Sequence, residues 1–203
     1  MTNKKIEIDY QEFGSVQELE PQDRELCEAA EKALAGSYAP YSNFNVGAAV
    51  RLSDGSIVTG ANQENSAYPS GLCAERTAMF SAHANHPDLQ MRSIAITGAQ
   101  NGLLNSGITA PCGACRQVMA EYQKVSGGKM SVLFYGKDKI LKFSQVDDIL
   151  PFIFTNLDYE NRRIGLSDFA DLTKSSIFAV GKSYTTSSLQ TPPGPEGSKG
   201  RRS

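Results

Sequence analysis

One sheet of five strands with helices on both faces, a three-layer α/β/α domain, is the fold class this sequence predicts. Three observations predict it. Apolar residues recur at helical spacing in three separate segments, short runs suited to strands lie between them, and Asp54-Gly55 marks a hairpin turn between two such runs. Residues 1–20 are polar and form an N-terminal extension in which Ile6-Glu7-Ile8-Asp9-Tyr10 alternates, as an edge strand or as nothing regular. Over 23–35 the apolar positions Leu26, Cys27, Ala30, Ala33 and Leu34 follow a helix, and Gly36 stops it. Residues 46–52 and 56–61 are the two strands of the hairpin. A helix is predicted over 72–85, ending before Pro87. Ile94-Ala95-Ile96 centres a third strand over 92–98, and 102–109 is loop. A helix over 112–124 is broken by Gly127-Gly128. Strands over 130–135 and 139–143 follow, then a short helix over 145–150 stopped by Pro151.

The 203 residues suit one domain, placed at 21–166, and the composition is that of a globular chain, 40% hydrophobic and 21% charged. A net charge of −2 argues against a dedicated nucleic-acid surface. No apolar run is long enough for a membrane span and no secretory leader is visible, so a cytoplasmic chain with no membrane partner is expected. From 185 to 203 the sequence is rich in Ser, Thr, Gly and Pro. Such composition cannot bury enough apolar surface to order itself, and 167–203 is expected to be a disordered tail. Ile177-Phe178-Ala179-Val180 is a small apolar patch within it.

The chemistry lies in Cys73-Ala74-Glu75 and Pro111-Cys112-Gly113-Ala114-Cys115. Without a secretory leader, a C-x-x-C pair reads as metal binding rather than a disulfide. Three thiolates are one ligand short of a closed structural zinc site, and an open fourth position belongs to catalytic zinc. A ligand-x-Glu followed by Pro-Cys-x-x-Cys is the pattern of the zinc deaminases. Cys73, Cys112 and Cys115 are therefore the metal ligands for one Zn²⁺, and Glu75 is the proton shuttle. Both segments open helices, whose N-terminal partial charge favours thiolates. Three thiolates around Zn²⁺ leave one excess negative charge, and Arg76, three residues after Cys73, is expected to hydrogen-bond the sulfurs and offset it. The bland alternatives are a structural site with a fourth ligand elsewhere, a helix-start glutamate and a surface arginine. His83 and His86 lie roughly 15 Å or more along the helix from Cys73 and cannot close the site. Cys27 sits at an apolar helix position, as a small core residue.

In its ordered blocks the chain resembles the homotetrameric cytidine deaminases. The resemblance spans roughly 23–154. It rests on Tyr41-Ser42-Asn43-Phe44-Asn45-Val46-Gly47-Ala48, Asn62-Gln63-Glu64-Asn65, the run from Tyr68 through Cys73-Ala74-Glu75-Arg76, and Pro111-Cys112-Gly113-Ala114-Cys115-Arg116-Gln117-Val118. It implies the cytidine deaminase-like fold with a mixed sheet. It also implies hydrolysis of cytidine and deoxycytidine to uridine and deoxyuridine with release of ammonia, in pyrimidine salvage. By the same resemblance Phe44 packs on the pyrimidine, and Asn62 and Glu64 bond the ribose 3′-hydroxyl. The N–H of Ala74 meets the base O2, and the carbonyl of Ala110 faces the leaving amine. Tyr68 and Phe154 reach the pockets of adjacent subunits in a homotetramer with shared sites. Taken singly, Phe44 could be plain core, Asn62 a turn residue and Glu64 a solvated carboxylate.

Two rivals remain. A deaminase of another aminopyrimidine nucleoside, such as blasticidin S, would share the zinc elements. A zinc-stabilised scaffold without catalysis would be a different class, and Glu75 argues against it. A nucleotide substrate would need basic groups for its phosphate, and none neighbours Asn62 or Glu64 in sequence.

Overall fold

In the computed structural model, which describes residues 1–154, three helices pack on a seven-stranded sheet. The strands are β1 (Gln11–Phe13), β2 (Phe44–Leu52), β3 (Ile57–Ala61), β4 (Met91–Gln100), β5 (Leu103–Leu104), β6 (Ser131–Tyr135) and β7 (Ile140–Phe143). The helices are α1 (Pro21–Ala33), α2 (Ala74–Asn85) and α3 (Gly113–Val125). The order across the sheet is β1-β7-β6-β4-β2-β3, with β5 beside β4. Only β4 and β6 run parallel, and α3 lies on the crossover between them, so the sheet is mixed as expected.

Alternation along the strands builds the three layers. Ile94 and Ile96 of β4 join one core and Ala95 between them joins the other. On one face, Leu26, Cys27 and Ala30 of α1 meet Ala49, Leu133, Tyr135 and Ile140. On the opposite face, Ala78, Met79 and Ala82 of α2 and Met119 of α3 cover Val50, Val132 and Phe134. Cys27 is a buried core thiol, and its burial, with Asp23 and other acids nearby, pushes its pKa up to about 12.

The helical face of α2 needs Gly60. A Cβ there would lie 2.4 Å from the amide nitrogen of Ala78 and 2.7 Å from the carbonyl oxygen of Ala74. The missing side chain lets the first turns of α2 rest directly on β3.

The sheet has two strands more than the five expected. The alternating stretch at 6–10 is not the edge strand; Ile6, Ile8 and Tyr10 are exposed, and β1 begins at Gln11, pairing antiparallel with β7. Within the expected loop at 102–109, β5 folds back on the end of β4 after Asn101, which has a positive φ of 53°. The expected helix over 145–150 is a single 3-10 turn, Val146–Asp148. The 21–166 boundary runs past the described residues, and the expected tail at 167–203, with Ile177-Phe178-Ala179-Val180, lies outside them. Among the described residues no helix is long and apolar enough to cross a membrane.

Candidate active site

Two helix N-termini converge on the sulfurs. Cys73 is the N-cap of α2 and Cys112 the N-cap of α3, and neither thiol caps its own helix. An N-cap oxygen would ordinarily bond the N–H groups of the first turn. Here the sulfurs are turned to one another instead. Cys73 Sγ lies 4.0 Å from Cys112 Sγ, and Cys112 Sγ lies 3.5 Å from Cys115 Sγ. Among the described residues the three form a cluster whose ligand atoms all fall within 4.8 Å of one another, and none is in a disulfide.

The donor set fits zinc. Zn–S bonds of about 2.3 Å at tetrahedral angles place sulfurs about 3.8 Å apart, close to the spacing here. Thiolates also select soft or borderline metals over hard ones. Cys73, Cys112 and Cys115 thus form a three-sulfur zinc site, with His83 and His86 outside it. The His83 ring, half-buried, lies 5.3 Å from that of Tyr122 at a tilt of 50°, and His86 is exposed at the end of α2.

Cys73 is drawn toward its thiolate form. A hydrogen bond from Cys115, reinforced by Arg76 and Cys112 against the cost of burial, draws its pKa down to about 5. Cys115, hydrogen-bonded to Cys73, buried and beside Glu75, is pushed up instead. Arg76 Nη2 donates to Cys73 Sγ at 3.7 Å, the contact its spacing predicted. Its Nε is buried with no partner among the described residues, so the guanidinium keeps spare donor capacity beside the excess negative charge of the sulfurs.

Glu75 follows in the first turn of α2. Its side chain is 3% exposed, although carboxylates are rarely so buried without a cationic partner. Burial is the main reason its pKa is raised, with the Cys73 charge adding to it. Ala74 opens the helix and is fully buried; its N–H has no acceptor within the helix.

A cleft of about 410 Å³ opens beside the cluster, lined by Tyr41, Asn62, Glu64, Tyr68, Cys73 and Arg76 among others. Asn62 and Glu64 are bound up in the structure more closely than a ligand pair read from sequence would suggest. Asn62 Oδ1 accepts from the Val46 N–H at 2.8 Å and the Ser37 hydroxyl at 2.5 Å, while Nδ2 donates to the Phe44 carbonyl at 2.9 Å. Glu64 accepts from the N–H groups of Tyr41 and Ser42 and from the Ser42 hydroxyl. The Ser42 hydroxyl and the Tyr41 N–H hold its carboxyl below the usual carboxylate range. The pair therefore anchors the segment from 37 to 46 to the end of β3.

Phe44 is half-buried at the start of β2, and its ring fits because residue 98 is glycine. A Cβ at Gly98 would lie 2.9 Å from Phe44 Cζ and 2.6 Å from Thr109 Oγ1. Thr109 precedes Ala110, which is exposed, so one glycine seats both the ring and the approach to the second cysteine segment. Tyr68 is 76% exposed at the cleft, with its ring 6.0 Å from that of Tyr41. Phe154 is 66% exposed, yet its backbone is clamped: Gln117 Nε2 donates to its carbonyl at 3.0 Å and its N–H donates to Gln117 Oε1 at 3.2 Å. No sequence signal assigns a role to Ser37, Ser42 or Gln117 individually. Ser42 and Gln117 stand inside the ordered blocks, whereas nothing marked Ser37.

An open three-sulfur centre at paired helix starts, with a buried carboxylate beside it, defines a zinc-dependent hydrolytic deaminase. The profile of the cytidine and deoxycytidylate deaminase zinc-binding region matches residues 20–127. The chain belongs to the cytidine deaminase family. It is 38% identical over 133 residues to a cytidine deaminase from Sporosarcina psychrophila, covering 66% of this chain and 91% of that one. To a cytidine deaminase from Halalkalibacterium halodurans it is 43% identical over 96 residues, 47% of this chain and 68% of that one. A crystal structure of cytidine deaminase from Burkholderia pseudomallei superposes with a TM-score of 0.53 at 40% identity, over 64% of this chain and 97% of that one.

Proposed function

We propose that this chain deaminates the free nucleosides cytidine and deoxycytidine to uridine and deoxyuridine, releasing ammonia, as a cytoplasmic enzyme of pyrimidine salvage. The observation that carries this reading is the burial of Glu75, at 3% exposure, beside the three sulfurs. When bound, Zn²⁺ supplies the Lewis acid that makes a water lose its proton readily near neutral pH.

The chain's own groups do the rest. Glu75 takes the proton released as the water oxygen adds to C4 and delivers it to ring N3. It then carries the proton of the new C4 hydroxyl to the amine, the C4–N bond breaks as the C4 carbonyl forms, and ammonia leaves. Phe44 offers an aromatic face to the flat ring. The free N–H of Ala74 bonds the base O2, and the carbonyl of Ala110 accepts from the departing amine. Asn62 and Glu64 bind the ribose 3′-hydroxyl, one as donor and one as acceptor. Tyr68 and Phe154, aromatic and exposed in the single chain, serve the pockets of neighbouring subunits in a homotetramer.

Arg76 tunes the metal. Arg76→Ala is expected to keep the fold and to weaken zinc retention or activity by roughly 10- to 100-fold, as loss of outer-shell partners does elsewhere. Competition with a chelator, read beside turnover, checks this; unchanged values for both would remove Arg76 from the mechanism.

The deciding experiment measures ammonia and identifies product from zinc-loaded protein given cytidine, deoxycytidine, CMP or blasticidin S. Uridine and deoxyuridine without UMP are expected. Turnover of blasticidin S alone would move the assignment to another aminopyrimidine nucleoside, and silence on all four with zinc bound would leave the scaffold reading. Light scattering on the same sample tests the tetramer, and a monomer with full activity would exclude shared sites.

A further inference from the structure

The carboxamide of Asn62 has four hydrogen-bonding positions, two lone pairs on oxygen and two N–H groups. Three are occupied. The Val46 N–H and the Phe44 carbonyl, on one strand, decide which end of the amide is oxygen. The Ser37 hydroxyl, 25 residues away in sequence, fills the second lone pair at 2.5 Å. The remaining N–H has no partner among the described residues, and Asn62 lines the cleft.

Glu64 is complementary. Its ionised carboxylate only accepts, and it offers about four lone-pair positions. The Tyr41 and Ser42 N–H groups and the Ser42 hydroxyl take three. One donor on Asn62 and one acceptor on Glu64 are left, which suits a single hydroxyl that accepts from the first and donates to the second.

We propose that Ser37 is a positioning residue for sugar recognition: by filling the last lone pair of Asn62, it makes that carboxamide purely a donor toward the cleft. The polarity of the contact is then fixed, so the sugar hydroxyl must accept from Asn62 and give its proton to Glu64. The inference rests on the reading of Asn62 and Glu64 as the 3′-hydroxyl pair.

Ser37 is well placed for this. It closes the 3-10 turn Leu34–Gly36, where its N–H donates to the Leu34 carbonyl at 3.1 Å. The next residue, Tyr38, donates its N–H to the Asn62 carbonyl at 3.0 Å. The serine backbone is thus tied both to the turn after α1 and to the residue it orients. Ser37 is not among the residues lining the cleft, so it acts through Asn62 and not on substrate.

The test compares full-length zinc-loaded wild type, Ser37→Ala and Ser37→Thr on cytidine and on 3′-deoxycytidine. With Ser37→Ala, the freed lone pair can take a water or the sugar's own proton. KM for cytidine is expected to rise roughly 2- to 12-fold, the worth of one ordinary hydrogen bond, with kcat unchanged. Both constants for 3′-deoxycytidine are expected to stay put, so the preference for the 3′-hydroxyl shrinks by that same factor. Ser37→Thr keeps the hydroxyl and is expected to keep the preference. Equal changes on both substrates would mean a merely structural serine and would overturn the inference, as would no change on either. If wild type itself shows no preference for cytidine over 3′-deoxycytidine, the Asn62–Glu64 reading fails and takes this one with it. If wild type has that preference and Ser37→Ala retains it in full, only the role of Ser37 falls.

Discussion

Glu75→Gln is expected to cut deamination by at least 10²–10⁴-fold, the usual worth of a well-placed acid–base group, while leaving zinc at about one per chain. The carboxylate is not one of the three clustered sulfur ligands, so the amide takes nothing from the metal. Nor is the fold expected to suffer. The side chain is buried, and the desolvation that raises its pKa penalises the ionised form, a cost that a neutral amide of the same shape does not carry. Tm should hold or rise. Ammonia release, zinc content and thermal unfolding on one preparation check all three; normal turnover would end the role of Glu75.

Gly60→Ala acts from outside the site. The new methyl would meet the backbone of α2 at Ala78 and Ala74, atoms that cannot swing aside as a long side chain can. The helix must lift, and it carries Cys73 at its N-cap and Glu75 and Arg76 in its first turn. Overpacking of this kind costs about 1–3 kcal/mol. For a chain of this size that lowers Tm by roughly 2–12 °C. Faster loss of zinc to a chelator and lower kcat are expected with it. Gly128→Ala is the control: its Cβ would sit 3.5 Å from the end of the Arg92 side chain, an ordinary contact, and Tm should change little. A Gly60→Ala protein that melts and holds zinc like wild type would show that α2 does not depend on its seat against β3.

What the sequence revealed follows how local each signal is. Helical spacing in α1 and the Asp54-Gly55 turn are local, and both elements lie within a few residues of expectation; Gly55 has the positive φ of 91° that such a turn uses. The cysteines were legible because their type and spacing carry the chemistry, and Arg76 because three residues along a helix return to the same face. The strand β1 was not. Its register is set by β7, more than a hundred residues later, and the alternation at 6–10 that resembled a strand pairs with no strand among the described residues and leaves Ile6, Ile8 and Tyr10 exposed. The same holds for Asn62 and Glu64. The resemblance, not their residue types, implied a sugar contact, and the bonds that orient them come from Ser37 and Ser42, 25 and 22 positions away. Long-range hydrogen bonds leave no periodicity to read.

The 39-residue separation of Cys73 and Cys112 bears on how the chain folds. A metal held by both sulfurs closes a ring that contains all of α2, β4 and β5. Such a tie, if it persisted in an unfolded chain, would remove conformational freedom equivalent to about 4 kcal/mol at room temperature by the loop-closure relation. Zinc is then a clasp across the middle of the polypeptide as well as a reagent. A refolding chain that kept this tie would start effectively shorter, and the enclosed segment includes the central strand against which β2 and β6 assemble.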